Sequence, residues 1–295
     1  MARIAVGLGE AATEEHARRL ETGDILYFPT TPFAFSEDDK AFLLRQKQAA
    51  PSLHKNISYR PARDRLKGVD SNDRARMHMI MKGYSERAIA FMTSFFPSYA
   101  RDWKIDFASF RPIEEQGRET SLRSRNDLLH VDSFPSRPSR GDRLLRIFTN
   151  INPERPRVWI TSDPFETLAN RYAEEVGLPQ PPDAGAKLRG RTLRVLSSLG
   201  LPVVDRPPYD RFMLKFHHFL KENAAFQRDC PKDRWEFPPG STWIVFTDTT
   251  SHACLSGQFA LEQTFIVRRQ SLVWPEKSPI SILERMSGFP LSESA

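Results

Sequence analysis

Strand-like segments fall in two separated stretches of this chain, and that separation constrains the fold more than any other feature. Lys104 to Arg111, Leu122 to Asp132 and Arg143 to Asn152 form the first series, which Trp159 continues; Trp243 to Phe246 and Phe259 to Val267 form the second. A helical interlude lies between them. Asp163-Pro164 opens a helix with Phe165, Leu168, Ala169, Tyr172 and Val176 on one face, Leu193 to Leu199 reads as helix, and Asp210 caps another holding Phe212, Met213, Phe216 and Leu220. Ahead of the strands, Ser36 caps a helix through Leu44. Asn72 or Asp73 caps a longer one, in which Met77, Met81, Tyr84, Ala88, Phe91 and Phe95 recur at three and four residues as a core stripe. Strands so far apart must meet in one antiparallel core, which implies an α+β domain.

Composition narrows the class. A chain of 295 residues buries a full core without staples. No charge-free run approaches the ~20 apolar residues of a membrane span, and the first residues lack the pattern of a signal peptide. Cys230 and Cys254 show no disulfide spacing, which fits a reducing cytoplasm. The formal charge of +6 does not demand nucleic acid as a partner. The 43 cations comprise 32 Arg and 11 Lys, and Arg111 to Arg157 holds ten Arg and no Lys. A GC-rich genome accounts for that bias as well as a need to grip carboxylate or phosphate does.

His130-Val-Asp132 ends a strand candidate, so imidazole and carboxylate share a face. Two His and one carboxylate holding a metal with open positions is the donor set of non-haem iron(II) oxygenases. The best second imidazole is His252, on a loop between two strands. His217 and His218 are neighbours on a helix, diverge by about 100°, and are set aside with His16, His54 and His78. Cys254 reads as a small buried thiol. On Arg143 to Asn152, alternation puts Arg146, Phe148, Asn150 and Asn152 on one face and Leu145, Ile147, Thr149 and Ile151 on the core face.

These motifs carry a family likeness. His130-Val-Asp132, Pro238 to His252 and Leu261 to Val267 resemble the iron(II)/2-oxoglutarate dioxygenases. Lys55-Asn-Ile-Ser-Tyr-Arg-Pro61, Phe107-Ala-Ser-Phe-Arg-Pro112 and Arg143 to Pro153 resemble, more closely, the bacterial Kdo hydroxylases, over nearly the whole chain. The resemblance implies a double-stranded β-helix, a jelly-roll or cupin-like core, flanked by helices. As a single domain over 1–295, it has a helical and mixed part to 104, barrel strands in 105–160 and 235–270, and a helical insertion over 161–234.

The activity implied is 3-hydroxylation of a Kdo sugar in Kdo-lipid A with Fe(II), 2-oxoglutarate and O₂, ascorbate serving as reductant. The enzyme would be cytoplasmic and peripheral to the inner membrane. Carried over by position, His130, Asp132 and His252 are the iron ligands. Many such enzymes have a cation shortly after the distal His; here Glu262 and Gln263 occupy that stretch. Arg146 is therefore the expected co-substrate anchor and Arg268 the fallback, with Asn150 and Gln263 as further polar contacts and Arg137, Arg140 and Arg143 as substrate clamps. Two alternatives stay open: the same oxygenase acting on another lipid or a peptide, and a basic module binding anionic lipid or nucleic acid.

Overall fold

The computed structural model describes residues 1–46, 56–69, 72–135, 137–181 and 206–292; the helical stretch expected at Leu193 to Leu199 lies outside them. In chain order the described elements begin with β1 (Arg3–Ala5), α1 (Glu14–Glu21), β2 (Ile25–Phe28), α2 (Glu37–Leu44), β3 (Ile57–Arg60), β4 (Arg65–Lys67), α3 (Arg74–Phe95) and α4 (Pro97–Ala100). The barrel strands β5 (Lys104–Arg111), β6 (Arg143–Asn150) and β7 (Arg157–Pro164) follow. The helices α5 (Phe165–Val176), α6 (Pro208–Glu222) and α7 (Ala224–Asp229) come next, then β8 (Asp233–Phe237), β9 (Thr242–Phe246), β10 (Thr250–Ser256), β11 (Ala260–Val267) and α8 (Pro279–Ser287).

Two sheets face each other. The larger has the order β1-β2-β9-β6-β11-β5-β3-β4 and the smaller β10-β7-β8, with an isolated antiparallel bridge between His130 and His252 adding one more rung to the smaller sheet. From β5 the chain alternates: large sheet, the bridge at His130, β6 in the large, β7 and β8 in the small, β9 in the large, β10 in the small, β11 in the large. That winding is a double-stranded β-helix. The N-terminal strands β1 to β4 extend the same large sheet at both edges.

Side-chain parity on β6 decides what each face does. Leu145 and Ile147 point outward to Met77, Met81, Tyr84 and Ala88 of α3, which with Ile244, Phe246, Leu261 and Phe265 form the main apolar core. Fully burying each such side chain contributes roughly 1.5–3 kcal/mol. Phe148 points inward to Trp159, Trp243 and Phe237, between the sheets. On the far side of the small sheet, α5, α6 and α8 pack Phe165, Phe212, Phe216 and Ile280 against Leu129, Val131 and Ala253.

Three expectations need correction. Leu122 to Asp132 is not a strand: it opens with a 3-10 turn, Leu122–Ser124. Gln227 then takes the Leu129 backbone, accepting from its N–H at 3.0 Å and donating to its carbonyl at 2.8 Å, so ladder pairing survives only at His130. Second, His252 sits within strand β10, not on a loop. Third, Asp210 lies in the first turn of α6 rather than at its cap, and its carboxylate accepts the backbone N–H groups of Ser139 and Arg140 at 2.6 and 2.9 Å, fixing the loop beyond Asp132.

Candidate metal centre

Backbone pairing brings the donors together. His130 and His252 exchange both backbone hydrogen bonds, at 3.1 and 2.9 Å, and Asp132 N–H donates to the Thr247 carbonyl at 2.7 Å. Their rings lie 4.8 Å apart, and Trp159 stacks on His252 at 5.0 Å. The Nδ1 of His130 donates to Leu128 O at 2.7 Å and that of His252 to Thr250 O at 2.8 Å. In each ring this leaves the Nε2 lone pair for a metal, the orientation such ligands need. The Nε2 of His130 is 3.4 Å from Asp132 Oδ1.

Burial tunes these groups for metal rather than proton. Desolvation pushes the His252 imidazole down to about 3, and it also lowers His130, against the pull of Asp132. Burial alone would raise the Asp132 carboxyl, yet Arg146 and the two imidazoles hold it well below the ordinary carboxylate range. The Nη2 of Arg146 is 3.1 Å from Asp132 Oδ2, at an angle that makes an ion pair but no hydrogen bond, so this buried oxygen has no donor. Two neutral imidazoles with free Nε2 atoms and an orphaned carboxylate oxygen fit a divalent transition ion.

A third imidazole, set aside in the sequence, also arrives. His217 of α6 donates from Nδ1 to Val131 O at 2.8 Å, and its ring lies 4.8 Å from that of His130. Ligand atoms of His130, Asp132 and His217 all lie within 4.8 Å of one another. Helix periodicity separates His217 from His218 as expected. What it could not show is that the inner member of the pair meets the site.

Beyond the donors lies a pocket between the sheets, lined by His130, Asp132 and His252 but not by His217, and walled by Arg111, Arg146, Arg157, Phe148 and Trp159. Register places the charges. Glu262 of β11 faces Phe148 on β6 and Ser109 on β5, diagonal to both Arg146 and Arg111. Its carboxylate pairs with Arg146 at 3.0 Å and with Arg111 at 2.5 Å; the two guanidiniums lower its pKa although burial opposes them. Arg157 donates to Gly257 O at 3.0 Å, lies 3.7 Å from Glu115, and keeps a buried Nε without a partner. Gly257, at φ +130, leaves room for it: a Cβ there would come within 2.7 Å of Arg157 Cγ.

Several expected site residues do other work. Arg143 is fully buried on the outer face of β6, held by Asp248 at 2.9 Å and by Thr249, and cannot meet a substrate. Parity decides this, since 143 is odd where 146 is even. Asn150 donates to Arg155 O and Phe237 O and accepts from Asn152 N, fixing a turn. Gln263 points outward, accepting from Ser85 at 2.6 Å and donating to Asp106 O at 3.1 Å. Arg268 pairs with Asp142 at 3.1 Å, six residues and about 20 Å along the chain from Glu262. Arg137 pairs with Asp106 and lies half-buried near Arg146, while Arg140 is exposed. Arg111 and Arg157 were missed. For Arg111 the available signal was its even spacing from Phe107 and Ser109 on one strand.

Comparison with known proteins places the whole chain in a family. Residues 7–290 match the family model described as 3-deoxy-D-manno-oct-2-ulosonic acid (Kdo) hydroxylase. The apo structure of the Kdo hydroxylase KdoO, a non-haem Fe(II) α-ketoglutarate-dependent dioxygenase, is 37% identical over 100% of this chain and 99% of its own, with a TM-score of 0.85. The same enzyme with α-ketoglutarate and Fe(III) gives 37% over the same coverage and a TM-score of 0.84. With succinate and Fe(III) the values are 36%, 99% of this chain, 98% of that chain and 0.83. No curated protein matches the chain.

Proposed function

This chain belongs to the family of Kdo hydroxylases, and from that premise we propose that His130, Asp132 and His252 hold its iron and that Arg146, with Arg111 and Arg157, receives the co-substrate. Its activity is the Fe(II)- and 2-oxoglutarate-dependent hydroxylation of a Kdo sugar. When bound, iron and 2-oxoglutarate would activate O₂, one oxygen atom going into the substrate C–H to give C–OH and the other into succinate, with CO₂ released. The chain supplies geometry and dryness.

The observation that carries the assignment of residues is the charge balance of the pocket. Arg111, Arg146 and Arg157 stand against Asp132, Glu262 and Glu115, the last shared with Arg118 at 3.8 Å, so the pocket's charges are close to balanced. A dication and a dianion entering together keep that sum unchanged, so neither charge is buried uncompensated. Arg146 would then hold the distal carboxylate, which a guanidinium is suited to pair through two N–H groups. Trp159 and Phe148 form the apolar wall that keeps water out.

The finer substrate is C3 of Kdo in Kdo-lipid A. Among the described residues no helix is long and apolar enough to cross a membrane. A lipid-linked substrate would be met by peripheral contact at the cytoplasmic face of the inner membrane, with ascorbate keeping iron reduced. Incubation with Fe(II), 2-oxoglutarate and Kdo-lipid A should add one oxygen to the glycolipid and release succinate in equal amount. Succinate without glycolipid oxidation would remove this substrate and leave the oxygenase.

A further inference from the structure

A column of alternating guanidiniums and rings runs from β3 to the metal centre. Arg60, at the end of β3, lies over Phe107 of β5 at 4.4 Å, and Arg137 lies over the same ring at 4.1 Å. Arg137 also lies over Phe134 at 4.3 Å, and Arg146 reaches Phe134 at 5.6 Å before it meets Asp132. Three cations are thus stacked with one carboxylate of their own, Asp106, which pairs with Arg137; the acids at Arg146 belong to the pocket. The Nε of Arg60 is buried without a hydrogen-bond partner. Burial, and to a lesser degree the nearby Arg146 and Arg60, lower the pKa of Arg137 against the pull of Asp106.

We propose that Arg60 and Arg137, held by Phe107 and Phe134, form a seat for an anionic group of the substrate and so position its sugar at the metal. Stacking on a ring covers the flat face of a guanidinium and leaves its N–H edge outward, the edge that takes a carboxylate or phosphate. The column is open to solvent at its middle, where the Arg137 side chain is 36% exposed. A sugar acid on a phosphorylated glycolipid offers both anions; the proposal rests on the substrate class given above. Sequence reading included Arg137 among several loop arginines. Arg60 lies in the Lys55 to Pro61 motif, whose pattern gives it no role.

The test is steady-state kinetics of the iron-loaded enzyme with Kdo-lipid A, comparing wild type with Arg60→Met and Arg137→Met. Loss of a charge-assisted hydrogen bond should raise the glycolipid KM by about 10–100-fold in each, with the 2-oxoglutarate KM and Co(II) affinity unchanged. Lysine variants, which keep charge but lose the planar fork, should fall between and serve where a methionine variant does not fold. Competition by free Kdo but not by inorganic phosphate assigns the seat to the carboxylate, and the reverse assigns it to phosphate. An unchanged glycolipid KM in folded variants, or no competition by either anion, overturns the proposal. Should wild type leave the glycolipid untouched, the substrate reading fails separately. Equilibrium binding of free Kdo and of phosphate to the loaded protein then judges the seat: weaker binding in Arg60→Met supports it, and equal or absent binding ends it.

Discussion

The two faces of the large sheet bury arginine to opposite ends. On the outer face Arg143 sits under the aromatic ring of Phe246 with a single carboxylate, Asp248, and that pair is 0% and 2% exposed. On the inner face Arg111 and Arg146, joined by Arg157 from the facing small sheet, surround a pocket with three carboxylates and two imidazoles. A buried cation with one fixed partner and no cavity is structure. Several buried cations whose partners can be exchanged beside a cavity make a binding site, because an entering anion can take over a contact already desolvated.

The sharpest way to break this contrast is to remove the donors. Replacing His130, Asp132 or His252 by Ala should abolish hydroxylation and weaken Co(II) by more than the ~10–100-fold typical of a supporting residue, measured by titrating the cobalt absorption bands. His217→Ala should retain the bands. The opposite pattern, with His252 dispensable and His217 essential, would transfer the third position to α6.

Next comes the pair on β6. Arg143→Met strands Asp248 in the core and should cost about 3–5 kcal/mol in urea denaturation while leaving the 2-oxoglutarate KM alone. Arg146→Met should do the reverse in the metal-loaded protein. There Asp132 would be compensated by iron on the proposed assignment and Glu262 keeps Arg111, so the main effect should be a rise of about tenfold or more in the 2-oxoglutarate KM. Equal stability losses would erase the distinction between the two faces.

How much of this was legible follows from the same parity. The stripe on α3 and the alternation on β6 are uninterrupted and fully periodic, so Met77 to Phe95 and the inward Arg146 could be read directly. The same alternation placed Arg143 on the apolar face, yet its charge invited a surface role. Strand β10, with the sequence Thr250-Ser-His-Ala-Cys-Leu-Ser256, looks like a loop because its residues are small and polar. It is a strand because it is buried between β7 and the His130 rung. His217 shows the limit of local reading: its meeting with His130 depends on how α6 docks, which no spacing within the helix encodes.

Adjacent residues on β11 sharpen the comparison further. Gln263→Leu removes the outer-face bonds to Ser85 and to the Asp106 carbonyl and should cost about 1–3 kcal/mol of stability without touching co-substrate kinetics. Glu262→Gln loosens Arg111 and Arg146 and should shift the 2-oxoglutarate KM, because one acid fewer leaves the pocket too positive. Denaturation and kinetics on both variants separate the faces one residue apart.

The smallest effect belongs to Arg268, the fallback anchor. Its pairing with Asp142 is 42% exposed on the arginine side, and such pairs contribute about 0–1 kcal/mol. Arg268→Ala should therefore leave stability within that range and the 2-oxoglutarate KM unchanged. A rise in KM matching that of Arg146→Met would mean that the co-substrate reaches the far end of β11. The inner-face pocket would then be too short a description of the site, and the charge balance among Arg111, Arg146 and Arg157 would lose its force.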